Sequence, residues 1–153
     1  MTIKVRFGND RLNDIRRELT KLKRDDYPNA GAVLLRVFFE LAVINYLERT
    51  GELVEIIERI GGKGRLPYGT PTMKQLAPEI VRIAKTRLPR SAALKVEKAI
   101  RSDPAAPFSL SDLHAFVHQS SELPNGRDIW QFWLRTEPLL RLMLEQDIEG
   151  GER

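Results

Sequence analysis

"AGAVLLRVFFELAVINYLER", residues 30–49, is apolar around almost its whole circumference when wound as a helix. A helix with one apolar stripe lies on a surface, whereas one that is apolar on every side belongs at the centre of a bundle. Pro28 and Asn29 just ahead of it mark a start, because proline in the first helical position lacks an N–H that would find no partner there anyway. Arg36, Glu40 and Asn45 interrupt the run. Those interruptions argue for a buried core helix and against insertion in a membrane.

The flanking segments are narrower in their apolar pattern. Upstream, Leu12, Ile15, Leu19 and Leu22 recur at steps of three and four in "NDRLNDIRRELTKLKRDD", an amphipathic helix with a charged outer side. Downstream, "GELVEIIERIGG" places Leu53, Ile56, Ile57 and Ile60 on one face and stops at a glycine pair. Thr72 and Gln75 have the spacing of a capping box and open a helix through "MKQLAPEIVRIAKTRL". Pro89 ends it, and "RSAALKVEKAIRSD" continues as another, with Ala93, Leu94, Val96 and Ile100 apolar. Ser109 or Ser111 caps a helix over "DLHAFVHQ", and Ile129, Trp130, Trp133, Leu134, Leu139, Leu140 and Met143 mark a long last helix with a bend expected at Pro138. Only "TIKVRF" alternates with a period of two. The expected fold is therefore all-α, a single bundle of about six or seven helices over residues 1–153, with residues 1–8 and 147–153 as flexible ends of a domain that sits within a longer chain.

Composition narrows the chemistry. The 153 residues are 42% hydrophobic, enough for one core, and contain no cysteine, which excludes disulfides, Cys-ligated zinc and thiol catalysis. No segment has the form of a signal peptide, so a cytoplasmic protein is expected. The net charge of +4 conceals an asymmetry: residues 59–101 carry eleven basic and two acidic side chains, residues 102–153 four and nine. Such a split serves either nucleic-acid contact or head-to-tail packing against a partner. Arg82 and Lys85, and separately Lys95, Lys98 and Arg101, recur along their helices and form the candidate phosphate-binding face. The glycine-rich "GGKGRLPYGTP" has the Gly64–Gly69 spacing of a phosphate loop, but Thr70 and Pro71 stand where lysine and serine or threonine belong. Among the aromatics, Trp130 and Trp133 read as core, while Phe132 points elsewhere and is a candidate exposed ring for stacking on bases.

Both histidines, His114 and His118, lie one helical turn apart in "DLHAFVHQ". Two imidazoles do not complete a metal site, and Ala115 occupies the place of the glutamate in the H-E-x-x-H pattern. Neither a metal nor a cofactor is expected. The second polar constellation is Arg36 and Glu40, four residues apart on one side of the central helix, with Asn45 a further turn along.

Taken together, "YPNAGAVLLRVFFELAVINYL", the late "LHAFVHQ" and the final "DIWQFWLRTEPLLRLML" resemble the HEPN group (higher eukaryotes and prokaryotes nucleotide-binding), in particular helical modules of prokaryotic defence and toxin systems, over roughly residues 9–146. The resemblance implies a homodimer and, in catalytic members, metal-independent RNA cleavage by an arginine, a polar residue, three further residues and a histidine. On this chain His118 takes the histidine position and His114 the polar one, but the arginine position falls on Leu113, and longer spacings put Asp112 or Ser111 there. RNA cleavage of this kind needs an acid or base near the 2′-hydroxyl and a cation for the charge developing on phosphate. The leading expectation is thus a non-catalytic, HEPN-like interaction module with His118 in a structural role, joined to other domains of a longer chain. The rival is a divergent ribonuclease in which Arg36, beside Glu40, replaces the lost arginine and works with His114 and His118. A third is a module that binds RNA or DNA through the basic middle.

Overall fold

The computed structural model describes residues 3–23, 25–66, 69–101 and 126–147. Within them the chain forms six α-helices and no strand: α1 (Asp10–Lys21), α2 (Pro28–Arg49), α3 (Glu52–Ile60), α4 (Met73–Arg87), α5 (Arg90–Ile100) and α6 (Gly126–Glu145), with a 3-10 turn at Lys63–Arg65. The all-α bundle read from the sequence is the architecture found.

Local chemistry sets the boundaries. The Asn9 side chain accepts the Leu12 N–H at 2.9 Å and starts α1, whose Leu12, Ile15 and Leu19 are buried. Leu22, the fourth member of the expected stripe, falls just past the helix in extended backbone. Gly51 (φ 76°) and Gly61 (φ 105°) bracket α3 in the left-handed region, so α2 reverses into α3 within two residues. At α4 the capping box is complete: the Gln75 N–H donates to Thr72 Oγ1, and the Thr72 N–H donates to Gln75 Oε1 at 2.9 Å.

Central α2 lies against α1, α3 and α6, and α5 sits between α4 and α6. The buried side chains of α2, Ala32, Leu35, Phe38, Phe39, Ala42, Val43, Tyr46 and Leu47, fill one half of its circumference, and Val33 on the other half is 44% exposed, so the helix is not enclosed on every side as its composition suggests. It is the one described helix long and apolar enough to cross a membrane by length and composition, and 50% of its most apolar window is buried inside the protein.

α6 runs through Pro138 without interruption and corrects two expectations. Phe132 is not an exposed base-stacking ring: it is fully buried, edge-on to Phe39 with ring centroids 5.6 Å apart. Leu134, assigned to the apolar stripe, is instead 43% exposed. The true inner face is Ile129, Phe132, Trp133, Thr136, Leu139, Leu140 and Met143, and Thr136 can lie in it because its hydroxyl donates to the Phe132 carbonyl at 2.9 Å.

The start of the chain, expected to fray over residues 1–8, is tied down over residues 3–8. Ile3 is buried, and the amides of Arg6 and Phe7 both donate to the Leu144 carbonyl, at 3.0 and 3.1 Å. Asn45 Nδ2 donates to the Phe7 carbonyl at 2.6 Å, so this side chain holds the strap and does not extend the Arg36–Glu40 track. Arg49, at the end of α2, lies 4.5 Å over the Phe7 ring and donates to the Met143 carbonyl at 3.3 Å. The last turn of α6, whose carbonyls have no helical partners, is thus satisfied by the strap and by a cation at the negative end of the helix dipole.

Glu145 completes this latch, accepting from the Lys4 N–H at 2.8 Å and from Arg141. Burial alone would raise its pKa, but the Lys4 amide and Arg141 outweigh that and hold it below the usual carboxylate range. A carboxylate depressed in the folded state adds stability above its ordinary value of about 4.5, which is lost as pH falls below it. Melting curves from neutral to acidic pH are expected to show this loss in the wild type and its absence in Glu145→Gln. Parallel curves for the two proteins would contradict the latch.

Candidate functional site

Arg36 and Glu40 meet as the sequence spacing requires, Nε to Oε1 at 2.9 Å, with side chains 21% and 28% exposed. An ion pair this far out of water is held in one geometry, and removing either partner would leave the other desolvated. The remaining candidates for acid–base chemistry, His114 and His118, lie outside the described residues. Among the described residues no three His, Asp or Glu side chains converge to hold a metal ion. Tyr46 is buried beneath the α2–α3 turn, and desolvation, partly offset by Arg87, raises its phenol further above neutrality, so it stays protonated.

The five basic candidates divide into two kinds. Arg82 Nε binds Glu79 and its Nη2 binds Glu52, both at 3.0 Å, and the Glu79 hydrogen bond is the main cause of a pKa above the ordinary arginine value. Glu79 also receives Arg59 at 2.8 Å, which makes it the one buried charge among the described residues, compensated from α3 and α4 together. Lys85 and Arg101 converge on Glu97, at 3.4 and 3.0 Å. Lys95 and Lys98 are exposed, and no ion pair is found for either among the described residues. A phosphate approaching this face therefore meets two available ammonium groups and three cations already engaged by carboxylates, each of which would have to be displaced.

No family model, curated protein or solved structure matches the chain. Its own geometry is what bears on function.

Two clusters escaped the sequence reading. The Glu79–Arg82 and Glu97–Arg101 pairs sit at helical spacings and were visible in principle; Arg59–Glu79 and Lys85–Glu97 join different helices and carry no local signal. The same holds for Arg49 at the end of α6, 94 residues away along the chain from the carbonyl it binds.

Proposed function

We propose that this chain is a non-catalytic, HEPN-like helical module that associates with a second copy of itself, within a prokaryotic defence or toxin-related protein. The observation that carries this reading is the state of α2. Only half of a helix apolar enough to span a membrane is buried, and Val33 is 44% exposed, with Val37, Leu41 and Ile44 half-buried at successive turns beyond it. Apolar surface of this kind on a soluble domain marks a contact face. The Arg36–Glu40 pair beside the stripe suits a two-fold contact, in which each arginine can face the partner's glutamate and the same surface serves both copies.

Replacing Val33, 44% exposed on this face, by Asp is expected to abolish self-association while leaving the fold intact. Light scattering on the eluting protein, with melting as a control, reads both. A folded variant that still associates would overturn the use of this face.

The absence of catalysis has its own test. Purified protein incubated with RNA in the presence of a chelator is expected to leave it intact. Metal-independent cleavage that disappears in His118→Ala or Arg36→Ala, with melting unchanged, would replace this reading by the ribonuclease one.

A further inference from the structure

Two short helices carry outer faces of the same design and opposite charge. On α3, Val54 is 64% exposed and is followed at the next residue and one turn on by exposed Glu55 and Glu58. On α5, Leu94 is 47% exposed and is followed at the same intervals by exposed Lys95 and Lys98. Three residues ahead of each aliphatic stands a small exposed residue, Gly51 just before α3 and Ser91 on α5. Single exposed aliphatics are ordinary on protein surfaces. Two that are framed identically, one by carboxylates and the other by ammonium groups, are not explained that way.

The neighbouring charges are already engaged within the monomer. Glu52 binds Arg82, Arg59 binds Glu79, and Lys85 and Arg101 bind Glu97. Among the described residues, no ion pair joins α3 to α5, and none is found for Glu55, Glu58, Lys95 or Lys98. The four charges that frame the two aliphatics are thus available to another molecule.

We infer that the α3 face of one copy docks on the α5 face of the next, Val54 and Leu94 forming its apolar centre and Glu55 and Glu58 facing Lys95 and Lys98. Equal spacing gives the two patches the same layout of one aliphatic and two charges, opposite in sign. Because different surfaces meet, the contact is heterologous and propagates into a ring or an open chain. It is separate from the two-fold association through α2: that one is centred on apolar side chains and depends little on salt, whereas this one is small, rests on exposed charges and weakens as salt rises.

Sedimentation of the whole chain at low and high salt, with two charge-reversed variants, tests the contact. At about 50 mM salt the wild type is expected to form species larger than a dimer, and raising the salt to about 500 mM should weaken that step by about tenfold or more. Variant one carries Lys95→Glu and Lys98→Glu, and variant two Glu55→Lys and Glu58→Lys. Each alone presents like charge on both faces and should stop at the state reached in high salt. An equimolar mixture restores opposite faces and should recover the larger species, which also shows that both variants are folded. Larger species that persist in either variant alone, or a mixture that recovers none, would overturn the inference. So would a wild type that forms no larger species at low salt but binds a labelled single-stranded RNA through Lys95 and Lys98, since the basic face would then serve phosphate. If the α2 association fails instead, the chain is monomeric at high salt while the salt-dependent step and its rescue by mixing remain.

Discussion

Phe132→Ala is expected to destabilise the protein by about 3–5 kcal/mol, the cost typical of emptying a fully buried aromatic site. Phe132 has no exposed surface and stands edge-on to Phe39, at an interplanar angle of 77°, where α2 and α6 meet. Such an aromatic pair adds roughly 0.5–1.5 kcal/mol to the loss of buried area. The gap cannot close easily, because Trp133 on one side and Phe38 and Phe39 on the other are themselves buried in a packed core. For a chain of this length the change should lower Tm by about 10 °C. Phe132→Leu, which keeps most of the volume, should cost far less. Chemical denaturation of the three proteins checks this, and a loss below about 1 kcal/mol for the alanine variant would show that the ring is not in the core.

Arg49→Met is the second large effect, expected at about 2 kcal/mol. It removes a charged donor from the Met143 and Gln146 carbonyls and a cation from above the Phe7 ring. Hydrogen bonds of 3.3 and 3.5 Å lie at the weak end for a charged donor, and Arg49 Nη1 is buried with no partner, a cost that methionine relieves. The net figure is therefore below the sum of the separate contributions. Location distinguishes this variant from Phe132→Ala. Loosening the latch should speed hydrogen exchange at the Arg6 and Phe7 amides, which share the Leu144 carbonyl, before it affects the centre of α2. Unchanged exchange at those two amides would mean that Arg49 does not hold the strap.

These two residues also show what the sequence could and could not carry. α2 was legible because its apolar character needs no partner to be recognised, and the capping box at Thr72 and Gln75 because both groups lie within one turn. Phe132 was misplaced because Thr136 interrupts the apolar series in α6, so the stripe seemed to run through Trp130 and Leu134. A buried threonine that bonds back to the preceding turn is compatible with the inner face, and with it included the spacing becomes regular. Leu94 was read as one of the apolar positions of its helix and is 47% exposed, and Val54 on α3 is 64% exposed. The strap at residues 3–8 was taken for a loose end because what holds it comes from α2 and α6. Its alternation was nevertheless meaningful: Ile3, Val5 and Phe7 turn inward and Lys4 and Arg6 outward, without a strand to pair with.

The candidate site was legible only as far as its local geometry. Arg36 and Glu40 lie one turn apart on one helix and meet. Whether a basic side chain is available to phosphate depends on carboxylates from other helices. Glu97 engages Lys85 and Arg101, and Glu79 and Glu52 engage Arg82, leaving a face far less cationic than the count of eleven basic residues implies.

Self-association through α2 is the centre of this account, and sedimentation equilibrium of the unmodified chain tests it most directly. The measurement belongs at about 500 mM salt, where contacts between exposed charges are screened and only apolar association persists. Over micromolar concentrations the account predicts a mass of twice the 17.6 kDa of one chain. A mass of 17.6 kDa at every concentration would contradict it.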